Sequence, residues 1–173
     1  MLLALATVCC AQAKVVVYPA PAGKVLSADY TIEVDGKQVP VYNVLTQHHD
    51  KKYSIAYFDF SGSVTVKVKS RFALDKLVVM PDTYGIRPAV SGSEATFRLD
   101  SPRDIAFEPD GCNSPLLLFT NEIEKDAPSK DDPNVVYFGP GEHNPENGLI
   151  RLSSNQTLYL AGGAVVNAGI EAT

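Results

Sequence analysis

Apolar and polar positions alternate most clearly at Ser63-Val64-Thr65-Val66-Lys67-Val68-Lys69, with valines on one face and Thr and Lys on the other. A period of two is what a half-buried β-strand needs, because successive side chains point to opposite faces. Similar runs occupy residues 15–18, 28–34, 39–44, 53–60, 76–80, 95–99, 104–107 and 116–119. Asp35-Gly36, between two of these runs, is a strong hairpin signal, since both residues tolerate the positive φ of a tight turn. Gly62 and Ser91-Gly92-Ser93 mark further turns. Eight or nine short strands without a helical period predict an antiparallel β-sandwich over residues 14–120.

Residues 121–134 (NEIEKDAPSKDDPN) interrupt the pattern with charge and two prolines, and read as a linker or exposed loop. Beyond them the chain repeats itself. Val136-Tyr-Phe-Gly-Pro-Gly141 aligns with Leu158-Tyr-Leu-Ala-Gly-Gly163, so that Tyr137 falls on Tyr159 and Gly141 on Gly163 at a common shift of 22 residues. That length matches one coil of a parallel β-helix. Ile150 with Leu152 and Leu158 with Leu160 form alternating pairs, and Ala164-Val165-Val166 makes a third face after the Gly-Gly bend. The expected fold is therefore all-β: a sandwich, then the first coils of a parallel β-helix over residues 135–173. Fewer than two full coils and no polar cap predict a chain cut short, because a solenoid buries its apolar stack only against neighbouring coils.

Residues 2–10 form an apolar run too short to span a bilayer. They lead into Ala11-Gln12-Ala13, a small-x-small cleavage pattern, so residues 1–13 read as an export signal and Lys14 as the first mature residue. No Lys or Arg precedes the run. The expected location is secreted, either extracellular or periplasmic. Cys9 and Cys10 would leave with the signal, and the residue before Cys10 is not the small one that lipid attachment favours. Cys112 then remains alone, so no internal disulfide can form in the mature chain. A net charge of -5 without a basic cluster argues against nucleic acid and against an anionic membrane surface.

Candidate chemistry is sparse. His48-His49-Asp50 has metal-ligand types, yet adjacent strand residues diverge and Lys51-Lys52 follow, which reads as a charged turn. Glu122, Glu124, Asp126, Asp131 and Asp132 could supply the carboxylate pair of a glycosidase, held about 5 to 9 Å apart. Their Pro- and Lys-containing surroundings predict loop solvation instead, and the same holds for Glu108 and Asp110 around Pro109. Glu142-His143 is placed at the first coil's bend, and Asn155-Gln156-Thr157 fits the N-glycosylation pattern at another. Tyr53, Tyr57, Phe58 and Phe60 cluster in one segment, with Tyr57 on the face opposite Phe58 and Phe60. Core packing accounts for most of these, and no aromatic sugar platform is evident. The residues thus assign no catalytic, cofactor-binding or metal site and no cofactor.

Residues 136–143 (VYFGPGEH), 148–152 (GLIRL) and 155–166 (NQTLYLAGGAVV) resemble the entry to the β-helix in glycoside hydrolases of the polygalacturonase (family 28) and dextranase/isopullulanase (family 49) group. The resemblance is specific over residues 134–171 and architectural over 14–120, where family 49 also carries a sandwich ahead of its helix. It implies a right-handed parallel β-helix, and a secreted enzyme that hydrolyses polysaccharide with acidic residues several coils further along. The family 28 motifs Asn-Thr-Asp, Asp-Asp, Gly-His-Gly and Arg-Ile-Lys are not assembled here; Asp131-Asp132 matches one dipeptide ahead of the first coil. No catalytic residue carries over. The leading expectation is an N-terminal, non-catalytic part of an extracellular polysaccharide hydrolase acting on pectin or α-glucan, meeting polysaccharide through the full-length protein. The alternatives are a carbohydrate-binding module and a structural or adhesive β-helix surface protein.

Overall fold

The computed structural model describes residues 13–20, 24–45, 52–109 and 115–173. The proposed signal up to residue 12, His48-His49-Asp50, Asp110 and Cys112 lie outside the described residues. The first part of the chain forms β1 (Lys14–Val17), β2 (Tyr30–Val34), β3 (Lys37–Val39), β4 (Tyr42–Leu45), β5 (Lys52–Ser61) and β6 (Val64–Ser70). It continues with β7 (Val78–Met80), β8 (Ala89–Ser91), β9 (Glu94–Leu99), β10 (Ile105–Glu108) and β11 (Leu116–Glu122). Two sheets result. One runs β1-β5-β11-β10-β7, with β4 also on β5, and the other runs β3-β2-β6-β9-β8.

The core lies between them. Ile32, Val34, Val64, Val66, Val68, Phe97 and Leu99 of the second sheet share one buried cluster with Phe58, Phe60, Phe107, Leu116 and Leu118 of the first. The rings of Tyr30 on β2 and Phe107 on β10 meet edge-on at 6.2 Å, which ties the two sheets directly. The alternation at residues 63–69 is realised in β6, whose three valines are buried and whose Thr and Lys face outward. Asp35 and Gly36 turn β2 into β3 with φ of 45° and 82°, and the Asp35 carboxylate accepts the Thr65 N–H at 2.9 Å.

Four details depart from the sequence expectation. Residues 39–44 are not one strand: Pro40 has no N–H for a ladder, and the chain there leaves β3 in one sheet to enter β4 in the other. The hydrophobic pattern does not predict the edge strand β8, because all three of its residues are exposed and nothing alternates. The strands expected at 28–34 and 76–80 begin only at Tyr30 and Val78. The sandwich is antiparallel except at its centre, where β5 and β11 run parallel with Ala56 beside Leu118.

The remaining strands are β12 (Val135–Phe138), β13 (Gly141–His143), β14 (Leu149–Leu152), β15 (Thr157–Leu160), β16 (Ala164–Val166) and β17 (Gly169–Ala172). They pair only in parallel, β12 with β15, β13 with β16 and β14 with β17, as two stacked coils with three faces. Tyr137 pairs Tyr159 as the repeat predicts, and their rings lie 5.2 Å apart. The shift is not uniform, however. Gly141 pairs Ala164 and not Gly163, because the second coil spends one more residue on its bend; Gly163 sits in that bend at φ 88°. At the third face Leu149 pairs Gly169, since the second coil there needs only a short connection. Glu142 and His143 consequently stand on a strand, and the expected bend position is corrected. The His143 ring reaches back to the Gly139 carbonyl at 2.7 Å. Among the coil hydrophobics Ile150 is buried, while Leu160 and Ile170 remain 47% and 62% exposed.

Candidate functional site

The strand β5 has two faces. Ser54, Ala56, Phe58 and Phe60 point into the core, which leaves Tyr53, Ile55, Tyr57 and Asp59 on the outer surface of the sheet. Register then decides what stands beside them. On the parallel neighbour β11, Phe119 lies next to Tyr57 and Asn121 next to Asp59; on β4, Tyr42 lies next to Ile55. Tyr18, just beyond β1, lays its ring on Tyr57 with centroids 5.6 Å apart and planes 22° from parallel. Tyr42 meets the same ring edge-on at 6.3 Å. Three tyrosine rings from three segments therefore meet on the outer face, with Phe119 beside Tyr57 in the ladder.

Asp59 closes this group. It is a carboxylate with only 7% of its surface exposed, on the face away from the core. The Tyr18 hydroxyl donates to its Oδ2, and the Asn121 amide approaches Oδ1 at 3.5 Å. The sandwich meets the coils at the same place. The Tyr18 ring rests on Gly162, where a Cβ would lie 2.2 Å from Tyr18 Cε1. Across from it, the Tyr159 hydroxyl donates to the Glu124 carboxylate. Between these contacts runs a cleft of about 560 Å3, floored by Tyr18, Tyr57 and Asp59 and walled by Glu124 and Leu160. That volume is in the range of small-ligand sites.

The electrostatics follow from burial and the carboxylates. Burial, then the bond to Asp59, pushes the Tyr18 phenol well above its ordinary range. Burial and the neighbouring Tyr57 push Tyr42 up to about 12, and burial followed by Asp59 raises Tyr57. The bond to Glu124, ahead of burial, lifts Tyr159 to about 12. All four phenols are neutral donors at physiological pH. Because each folded value exceeds the unfolded one of 10.0, the stability they contribute is complete below pH 10 and is lost as pH rises toward 12. The expected result is a phenolate absorbance titration in which part of the eight tyrosines ionises late, together with alkaline unfolding. Titration of all eight near pH 10 in a chain that stays folded would contradict the assignment.

The described carboxylates singled out in the sequence stand in three places. Glu122, Glu124 and Asp126 share the wall of the cleft. Asp131 and Asp132 belong to a turn outside it, where Asp132 accepts the Asn134 N–H at 2.8 Å. Glu108 stands exposed at the end of β10. Sequence reasoning missed Tyr18, Tyr42, Asp59 and Asn121; Asp59 meets Tyr18 across 41 residues and Asn121 across 62. The one available signal was Asp59 itself, a carboxylate between two phenylalanines in an otherwise aromatic strand. Among the described residues no three His, Cys, Asp or Glu side chains are grouped as a metal site, and no helix is long and apolar enough to cross a membrane.

No family model matches the chain, and no curated protein matches it by sequence. Its architecture does have a counterpart among solved structures. In fold, the chain is similar to Dex49A from Penicillium minioluteum. The match has a TM-score of 0.65 at 15% sequence identity, and covers 89% of this chain and 44% of Dex49A. The chain thus spans less than half the length of Dex49A. At the level of fold, the resemblance read from residues 134–171 to the family 49 group is upheld: a β-sandwich followed by parallel coils matches part of Dex49A.

Proposed function

We propose that this chain is the N-terminal, non-catalytic portion of an extracellular polysaccharide-degrading glycoside hydrolase. The observation that carries this reading is the order of the architecture. A sandwich is followed by three-faced parallel coils, and that order matches Dex49A across 89% of the chain while leaving more than half of Dex49A unmatched. On this reading the catalytic aspartates lie in further coils of the full-length protein, and pectin or α-glucan is the substrate. The apolar run and Ala11-Gln12-Ala13 at the start support export. Purification from the natural source should then give a mature protein beginning at Lys14.

The deciding experiment has two arms. Reading the encoding gene past the Thr173 codon is expected to reveal further coils with clustered aspartates, and the full-length product should release reducing sugar from dextran or polygalacturonate. The 173-residue chain alone should release none. Robust turnover by the chain alone, or a full-length protein inert on both polymers, would overturn the proposal.

A further inference from the structure

We infer that the cleft at the sandwich–coil junction, with the aromatic strip leading into it, is a non-catalytic binding site for an uncharged glycan chain. This rests on the hydrolase reading and deepens it by naming a place where the polymer is held. Sugar rings combine an apolar face of C–H groups with a rim of hydroxyls, so their sites pair aromatic surface with fixed acceptors. Both are present. Phe119, 38% exposed, lies beside half-buried Tyr57, and Tyr42 and Tyr18 extend the aromatic surface on either side. At the inner end Asp59 is buried but not saturated. Its Oδ2 is taken by Tyr18, while Oδ1 has only the 3.5 Å approach of Asn121, at the limit of hydrogen bonding. A sugar hydroxyl donating there makes a charge-assisted bond in a place sheltered from water.

The charge of the cleft selects the class of glycan. Asp59, Glu122, Glu124 and Asp126 stand against the single cation Lys125 in its lining. A uronic acid polymer would bring further carboxylates into that field and be repelled, whereas a glucan meets acceptors for its hydroxyls without that penalty. The aromatic strip is also held in place. Tyr57 is clamped between Tyr18 and Tyr42, and Tyr18 is fixed by Asp59 and Gly162, so little side-chain freedom is left to lose on binding.

The test is isothermal titration of the chain with maltohexaose, isomaltohexaose and oligogalacturonate. One of the two neutral oligosaccharides is expected to bind and oligogalacturonate to bind at least tenfold more weakly. Tyr57→Ala should weaken the neutral ligand at least tenfold. Phe119→Ala, at an exposed position that leaves the core intact, should weaken it severalfold. Absence of binding by both neutral oligosaccharides, preference for oligogalacturonate, or unchanged affinity in a folded Phe119→Ala chain would each overturn the inference. Its failure is separable from that of the hydrolase reading. A full-length protein that cleaves dextran while this chain binds no glucan rejects only the cleft. A chain that binds glucan within an inert full-length protein rejects only the hydrolase.

Discussion

Replacing Phe58 by alanine is expected to remove about 3–5 kcal/mol of folding stability, a large share of the roughly 5–15 kcal/mol that a domain possesses. Phe58 is fully buried in the middle of β5 and packs against Phe60 with ring centroids 5.7 Å apart. Its strand is the hub of the first sheet, with β1 and β4 along one edge and β11 along the other. A cavity at this point cannot collapse without moving strands held from both sides, so most of the cost should remain after relaxation. Urea denaturation of the Phe58→Ala chain would measure it. A loss below about 1 kcal/mol, the scale of a surface substitution, would mean that Phe58 does not face the core. The preceding residue gives the contrast: Tyr57 points outward, so its replacement should register in glycan affinity more than in core stability.

How much of this was legible in the sequence depended on whether the determinant was local. The valines of β6 and the Asp35-Gly36 turn announced themselves, because alternation and positive φ are properties of a few adjacent residues. The coils were legible for a related reason: Tyr137 over Tyr159 is a repeat of the chain against itself. Their detailed register was not. A uniform shift assigned Gly141 to Gly163, but the bends differ in length between coils, and only the ladder reveals which residue absorbs the difference. Pro40 was visible, yet its effect, sending the chain into the opposite sheet, depends on where β5 offers a free edge. The cleft was the least legible part. Glu124 and Asp126 looked like solvated loop residues because their cleft partners, Tyr18, Tyr57 and Asp59, are supplied by strands far away in the chain. Likewise the row of Tyr42, Tyr57 and Phe119 appears only once β4, β5 and β11 stand side by side, since no single segment contains it.

The joint between sandwich and coils leads to the second large expected effect, that of Gly162→Ala. A Cβ at Gly162 would lie 2.2 Å from Tyr18 Cε1 and 2.3 Å from Cζ, closer than any tolerated contact. The obstacle is a ring that cannot simply swing aside. Tyr18 is stacked on Tyr57 and bonded to Asp59, so the methyl group must displace both contacts or push the second coil away. The expected cost is about 1–3 kcal/mol, reduced a little by the lower unfolded-state entropy of alanine. The same substitution made in a Tyr18→Ala chain should cost nothing or stabilise by about 0.5 kcal/mol, because the three nearest atoms to the new Cβ all belong to the Tyr18 side chain. Equal costs in the two backgrounds would show that Tyr18 does not rest on Gly162. The alkaline titration supplies an independent reading of the same joint. If Gly162→Ala dislodges the Tyr18 ring from Asp59, its phenol loses both the burial and the bond that raise its pKa, and one more tyrosine should ionise near pH 10.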